Sequence, residues 1–156
     1  MADQLTHVDA TGAARMVDVS AKDVTVRTAS ASGFLRTTPE VVDLLRRDGL
    51  PKGDALSVAR IAGIMGAKRT PDIVPLCHPI GLHSVAVDLA LEADGVRITA
   101  TTRTADRTGV EMEALTSVAV AGLTMIDMVK AVDPRASITD VRLLAKSGGK
   151  SGDWTR

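Results

Sequence analysis

Ser84-Val85-Ala86-Val87-Asp88-Leu89-Ala90-Leu91-Glu92-Ala93-Asp94-Gly95-Val96-Arg97-Ile98-Thr99-Ala100-Thr101 is the stretch that decides the fold. Val85, Val87, Leu89 and Leu91 alternate with Ser84, Ala86, Asp88 and Ala90, the period of a half-buried strand. Val96, Ile98 and Ala100 alternate in the same way with Arg97, Thr99 and Thr101. Asp94-Gly95 reads as a tight-turn pair, so the two runs predict a hairpin.

Helical patterns flank that hairpin. Upstream, Thr38 is placed as an N-cap with Pro39 in the first turn, Val41, Leu44 and Leu45 form an apolar stripe, and Gly49 ends the element. A second helix runs from about Asp54, with Val58, Ile61, Ala62 and Met65 on one face, and stops before Thr70-Pro71. Downstream, a long apolar helix follows Gly109, reaches about Val132 and is closed by Pro134. Val141 and Leu143 make a last strand, and Met16–Val19 and Val24–Val26 alternate like short early strands. The order β-α-β-β-α-β predicts an α+β ferredoxin-like plait, an antiparallel sheet with helices on one face and extra N-terminal elements. The chain reads as one domain over 1–156, with 1–14 and 147–156 as flexible ends.

Composition narrows the function. Lys+Arg and Asp+Glu are 19 each among 156 residues, so no overall basic field invites nucleic acid. One Phe, one Trp and no Tyr leave no stacking platform, which argues against an RNA-binding plait. The single Cys excludes an internal disulfide and fits a reducing cytosol. Met1–Asp9 has no apolar core of a signal peptide, and Ala114–Ile126 reads as too short and too rich in Thr, Ser and Gly to span a bilayer. A cytoplasmic protein with no membrane or nucleic-acid partner is expected.

Charges on the long helix are unusual for a core element. Glu111 and Glu113 begin it, and Asp127 and Lys130 end it. Acids at the start suit the helix dipole, but Asp127 near the C-terminus does not. At about 100° per residue Glu113 and Asp127 lie about 40° apart around the axis, whereas Glu111 points about 200° away from Glu113. A rise of 1.5 Å per residue separates Glu113 from Asp127 by about 21 Å, too far for one small substrate in one subunit. If both act in one site, a second subunit must supply one of them.

Other candidates are local. Cys77-His78 between Pro75 and Pro79 sits in a stiff loop that suits a positioned acid, base or phosphate donor. Cys77, His78 and His83 could supply three zinc ligands, but their spacing matches no familiar finger. Gly149-Lys150-Ser151 resembles the end of a P-loop, yet Leu144 occupies the place of the required earlier Gly and no helix follows. A basic Gly-rich segment could instead fold over a polyphosphate, or be a disordered tail. Lys52-Gly53-Asp54 places a cation where a helix N-terminus also attracts anions. Lys22, Arg27, Lys68 and Arg69 add cationic candidates.

Taken together, Met16–Val19 with Lys22, Lys52-Gly53-Asp54, Ile61–Ile64, Ala67–Thr70, Ile73–Pro79, Thr108–Thr116, Asp127-Met128 with Lys130-Ala131, and Lys146–Gly152 resemble the cyclic pyranopterin monophosphate synthase family, protein C of molybdenum cofactor biosynthesis. The likeness spans about residues 5 to 154, and Glu-Met-Glu-Ala-Leu-Thr with Leu-Cys-His-Pro is specific. The resemblance implies conversion of 3′,8-cyclo-7,8-dihydroguanosine 5′-triphosphate to cyclic pyranopterin monophosphate with release of pyrophosphate. It also implies a homo-oligomer, a hexamer built as a trimer of dimers with active sites at subunit interfaces. By motif, Asp127 would be the principal acid–base residue and Lys52 and Lys130 catalytic cations. Leu76, Cys77, His78, Met112 and Glu113 would line the pterin or sugar pocket, and Glu111, Lys22, Arg27 and Lys146 would complete it. No cofactor is implied beyond a possible Mg2+ on the triphosphate, and no protein-bound metal. Ile126 and Val129 depart from the family's usual Tyr and Cys. A non-catalytic nucleotide-sensing plait is the alternative, keeping the phosphate-binding lysines without needing Asp127.

Overall fold

A computed structural model describes residues 6–156. Residues 1–5 of the expected N-terminal arm lie outside the described residues. The elements are β1 (Thr25–Arg36), α1 (Pro39–Arg46), α2 (Ala55–Lys68), α3 (Thr70–Ile73), β2 (Ser84–Glu92), β3 (Gly95–Asp106), α4 (Glu111–Val129), β4 (Ser137–Ser147) and β5 (Trp154–Thr155). The sheet order is β2-β3-β1-β4-β5, and every pairing is antiparallel. Both helical crossovers skip one strand, which is the ferredoxin-like plait expected from the sequence.

The hairpin forms with alternation intact: Val96, Ile98 and Ala100 are buried, and Leu91 stands opposite Val96. Its turn is shifted by one residue from the expected Asp94-Gly95, because Ala93-Asp94 form the loop and Gly95 already pairs with Glu92. Gly95 is needed for close approach: a Cβ there would lie 2.1 Å from the Leu35 carbonyl oxygen.

The central strand was the element least visible in the sequence. β1 extends well past Val24–Val26, through Ala-Ser-Ala-Ser-Gly, residues with little strand preference of their own. They suit a strand paired on both edges and crossed by a helix. Ala29 and Ala31 are fully buried, and a Cβ at Gly33 would come within 2.7 Å of the Val118 side chain on α4. Met16–Val19, read as a strand, has no regular structure.

The helix caps follow local chemistry. The Thr38 side chain accepts from the Val41 N–H, and Asp54 accepts from the Ser57 N–H, each holding a first-turn donor. At the end of α1 the left-handed residue is Asp48, with φ 53°, rather than Gly49. The face of α2 is reversed from the expected one. Ala55, Ala59, Gly63, Gly66 and Ala67 are buried, whereas Val58, Ile61 and Met65 are exposed. The small face permits backbone contact with α4: a Cβ on Gly66 would stand 2.8 Å from the Val120 side chain, and one on Gly63 3.1 Å from the Ser117 carbonyl oxygen.

α4 is the core helix. By length and composition it could cross a bilayer, contrary to the sequence expectation, since its 19 residues extend about 29 Å. Burial decides its role instead: Ala114, Val118, Ala121 and Met125 are fully buried within the domain. They join two apolar clusters, one with Ala29, Ala31, Val87 and Ile98, the other with Leu35, Val41, Val96 and Val129.

The C-terminal segment, expected to be flexible from 147 onward, folds back on β4. Gly148 and Gly149 adopt φ 84° and 77°, the Gly148 N–H donates to Asp153 Oδ1 at 3.0 Å, and the Arg156 N–H donates to the Leu144 carbonyl at 2.8 Å. Those bonds close the Gly-rich turn and set Trp154 opposite Lys146.

Candidate active site

The two ends of α4 carry two separate groups of polar side chains. At its N-terminus lies a cavity of about 450 Å³ bordered by Lys22, Leu76, Cys77, His78, Glu111, Met112 and Glu113. It also reaches Val17 and Val19 of the Met16–Val19 motif, Leu143 of the last strand, and His7, which no motif contains. Although the helix period sets Glu111 and Glu113 apart around the axis, both border this cavity. A second, strongly polar cavity of about 170 Å³ adjoins it, bordered by Lys22, Arg27, Glu111, Lys146, Gly148 and Ser151. Lys22, Thr108, Gly109 and Glu111 belong to both.

Local geometry holds these groups. The Glu111 carboxylate folds back over Gly109, where a Cβ would lie 1.9 Å from Oε2. From there it meets Lys146 Nζ at 3.5 Å, and Lys146 also bonds Ser151 Oγ. A Cβ on Gly149 would meet the Arg27 guanidinium at 2.2 Å, so the Gly-rich turn lies directly against that cation. The Gly-rich tail thus forms one wall of a polyphosphate-sized polar cavity. His78 donates from Nε2 to the Val17 carbonyl at 2.5 Å, pinning the segment that carries Lys22.

Glu113 is 3% exposed, and burial pushes its carboxyl up to about 7, with the neighbouring Glu111 adding to the rise and a hydrogen bond from its own backbone opposing it. Near neutral pH such a group both accepts and donates protons. Burial, with Glu113 close by, also pushes the Cys77 thiol up. Cys77 therefore borders the cavity as a thiol rather than a thiolate.

At the other end of α4, Asp127 is held by two lysines. Lys130 Nζ donates to Oδ1 at 2.7 Å and Lys52 Nζ to Oδ2 at 2.9 Å. Those two bonds, Lys130 first, hold the Asp127 carboxyl down to about 2. The three side chains are about half exposed, and none borders either cavity. Lys52 stands in the α1–α2 loop, whose Gly53 takes φ 93°, so the pairing joins loop to helix across 75 positions of sequence.

Glu113 and Asp127 do not share an environment, although the helix period places them nearly on one side. Loops carrying Cys77 and Lys22 cover the start of α4, while the Lys52 loop meets Asp127 at its half-exposed end. Lys68 and Arg69 border neither cavity, and Arg69 pairs with Asp72 at 3.3 Å. Among the described residues no three His, Cys, Asp or Glu side chains converge as metal ligands. His83 is used by the fold, its Nδ1 accepting from the Ala105 N–H at 3.3 Å. Asp106 and Arg107, overlooked in the sequence, tie the Arg27 side chain and the Lys22 backbone to the segment that enters α4.

A ferredoxin-like plait with cations, a buried acid and a glycine turn around one helix end defines a small-molecule site suited to a phosphorylated ligand. The chain belongs to the MoaC family, whose family model matches residues 16–149. It is 69% identical over 154 residues to a cyclic pyranopterin monophosphate synthase of Streptomyces coelicolor, covering 99% of this chain and 91% of that protein. It is 63% identical over 156 residues to the protein of the same name from Nocardioides sp., covering 98% and 96%. It is 58% identical over 153 residues to cyclic pyranopterin monophosphate synthase 2 of Mycobacterium tuberculosis, covering 98% and 92%.

Proposed function

We propose that this chain is a lyase of molybdenum cofactor biosynthesis that converts 3′,8-cyclo-7,8-dihydroguanosine 5′-triphosphate to cyclic pyranopterin monophosphate with release of pyrophosphate. The observation that carries this reading is the near-full-length identity with relatives of that name. The site chemistry supports it. Ring rearrangement needs protons moved to and from nitrogen and oxygen, and Glu113 titrates near the pH at which that is easiest. Closing a cyclic phosphate while pyrophosphate leaves needs cations around the phosphates, and Lys22, Arg27 and Lys146 surround the polar cavity. Leu76, Cys77, His78 and Met112 would enclose the ring system, with Glu111 holding Lys146. A Mg2+ ion, where one takes part, travels with the triphosphate.

Asp127, Lys52 and Lys130 complete the reading as acid–base group and catalytic cations. A carboxylate held at about 2 is a weak base. An incoming phosphate competes for the two lysines, and drawing them off Asp127 raises its proton affinity where the substrate arrives. Fourteen residues of helix, about 21 Å, separate this group from Glu113. One active site therefore uses the start of α4 from one subunit and its end from another. The exposed stripe Val58, Ile61 and Met65 on α2 is apolar surface of the kind that subunit contacts cover, consistent with a hexamer built from dimers.

The test is incubation with the cyclised GTP intermediate and mass detection of the pterin and pyrophosphate. Asp127→Asn and Lys52→Ala should each abolish product while leaving fold and assembly intact. Turnover like the unsubstituted protein in either variant refutes the assigned roles, and substrate binding without any product in the unsubstituted protein points to sensing instead.

A further inference from the structure

Lys22 borders both cavities, yet its segment has no regular structure and its side chain is exposed. An exposed lysine on such a segment gives up backbone and side-chain freedom when it clamps a ligand, which weakens the clamp. The fold holds the segment before any ligand arrives. The Lys22 N–H donates to the Val19 carbonyl at 3.0 Å, and Arg107 Nε donates to the Lys22 carbonyl at 2.9 Å across 85 positions of sequence.

Arg107 is itself fixed, its N–H donating to Asp106 Oδ1 at 2.7 Å. On the same dipeptide, the Asp106 carbonyl accepts from Arg27 Nε at 3.0 Å. Two cations of one polar cavity are thus tied to Asp106-Arg107, and the next residues, Thr108 and Gly109, border both cavities. We propose that Arg107 is a positioning residue: its Nε–H holds the Lys22 backbone so that the Lys22 ammonium is pre-set for the phosphates of the substrate. The donor, not the guanidinium charge, does this.

The proposal rests on Lys22 acting as a phosphate clamp, and the experiment separates the two ideas. Binding of inorganic tripolyphosphate is measured by calorimetry at fixed ionic strength for the intact protein, Lys22→Ala, Arg107→Ala and the double variant. The same cycle is read in KM for the cyclised GTP intermediate. Arg107→Ala should weaken binding about tenfold, the order of one hydrogen bond's contribution to a charged contact. In the Lys22→Ala background the same change should cost less than about twofold, since nothing is left to position. Arg107→Gln should recover most of the affinity, because the Gln amide nitrogen occupies the same bond position as Arg Nε without its charge.

Equal losses in both backgrounds, or Arg107→Gln as weak as Arg107→Ala, would show direct charge attraction and overturn the proposal. Lys22→Ala binding as well as the unsubstituted protein would overturn it too. A coupled cycle in tripolyphosphate binding without turnover keeps the positioning role and rejects the reaction. Normal turnover with uncoupled losses keeps the reaction and rejects the positioning role.

Discussion

Replacing Glu113 by Gln should stabilise the protein, and the gain should grow with pH. The usual Glu value near 4.5 rises here to about 7, mainly because the carboxyl is buried beneath the loops that cover the start of α4. Below 4.5 the group is protonated in the folded and unfolded chain alike, and its titration contributes no pH slope. Between 4.5 and 7 the unfolded chain releases a proton that the folded chain keeps, so stability falls as pH rises. Above 7 the full penalty stands, about 3 kcal/mol at roughly 1.4 kcal/mol per pKa step.

Gln keeps the shape and cannot ionise. Any cost of burying its amide is constant with pH, so the slope rather than the offset is the signature. Urea unfolding at fixed protein concentration, at intervals from pH 4 to 9, should show the variant gaining about 3 kcal/mol on the unsubstituted protein across that window. For a domain of this size the gain corresponds to roughly 10 °C in melting temperature. Parallel stability curves for the two proteins between pH 4.5 and 8 would refute the buried, titrating carboxyl.

Gly95→Ala should destabilise by roughly 3 kcal/mol in urea unfolding, because its methyl would press on the Leu35 carbonyl between two paired strands; a loss under about 0.5 kcal/mol would mean the strands separate there at little cost. Ile61→Asp combined with Met65→Asp should leave the helical circular dichroism unchanged while sedimentation shows smaller particles and turnover falls. Unchanged particle mass would remove α2 as a subunit contact.

Much of the site was legible because its motifs are local. Leu76-Cys77-His78, Met112-Glu113 and Lys22 all border one cavity, and the helix rise already separated Glu113 from Asp127. Arg107 was not legible. Its partner is a backbone carbonyl 85 positions away, and a carbonyl leaves no residue-type signal in sequence. The basic residue immediately before Thr108-Gly109, at the entry to α4, was the only available hint.

The sequence by itself determined the hairpin, the cap at Thr38, the helix start near Asp54 and the β-α-β-β-α-β order of the plait, since alternation, turn chemistry and capping act over a few residues. Tertiary structure decided which faces are buried. Val58, Ile61 and Met65 form a convincing apolar stripe, yet the glycine and alanine side of α2 faces α4 because only small residues let the two backbones approach. The same cause drew Ala29, Ala31 and Gly33 into the central strand, whereas the loops over the start of α4 left Glu113 buried while Asp127 is exposed. Periodicity says which residues share a side of a helix; only the surrounding segments decide which side is covered, and where along its length.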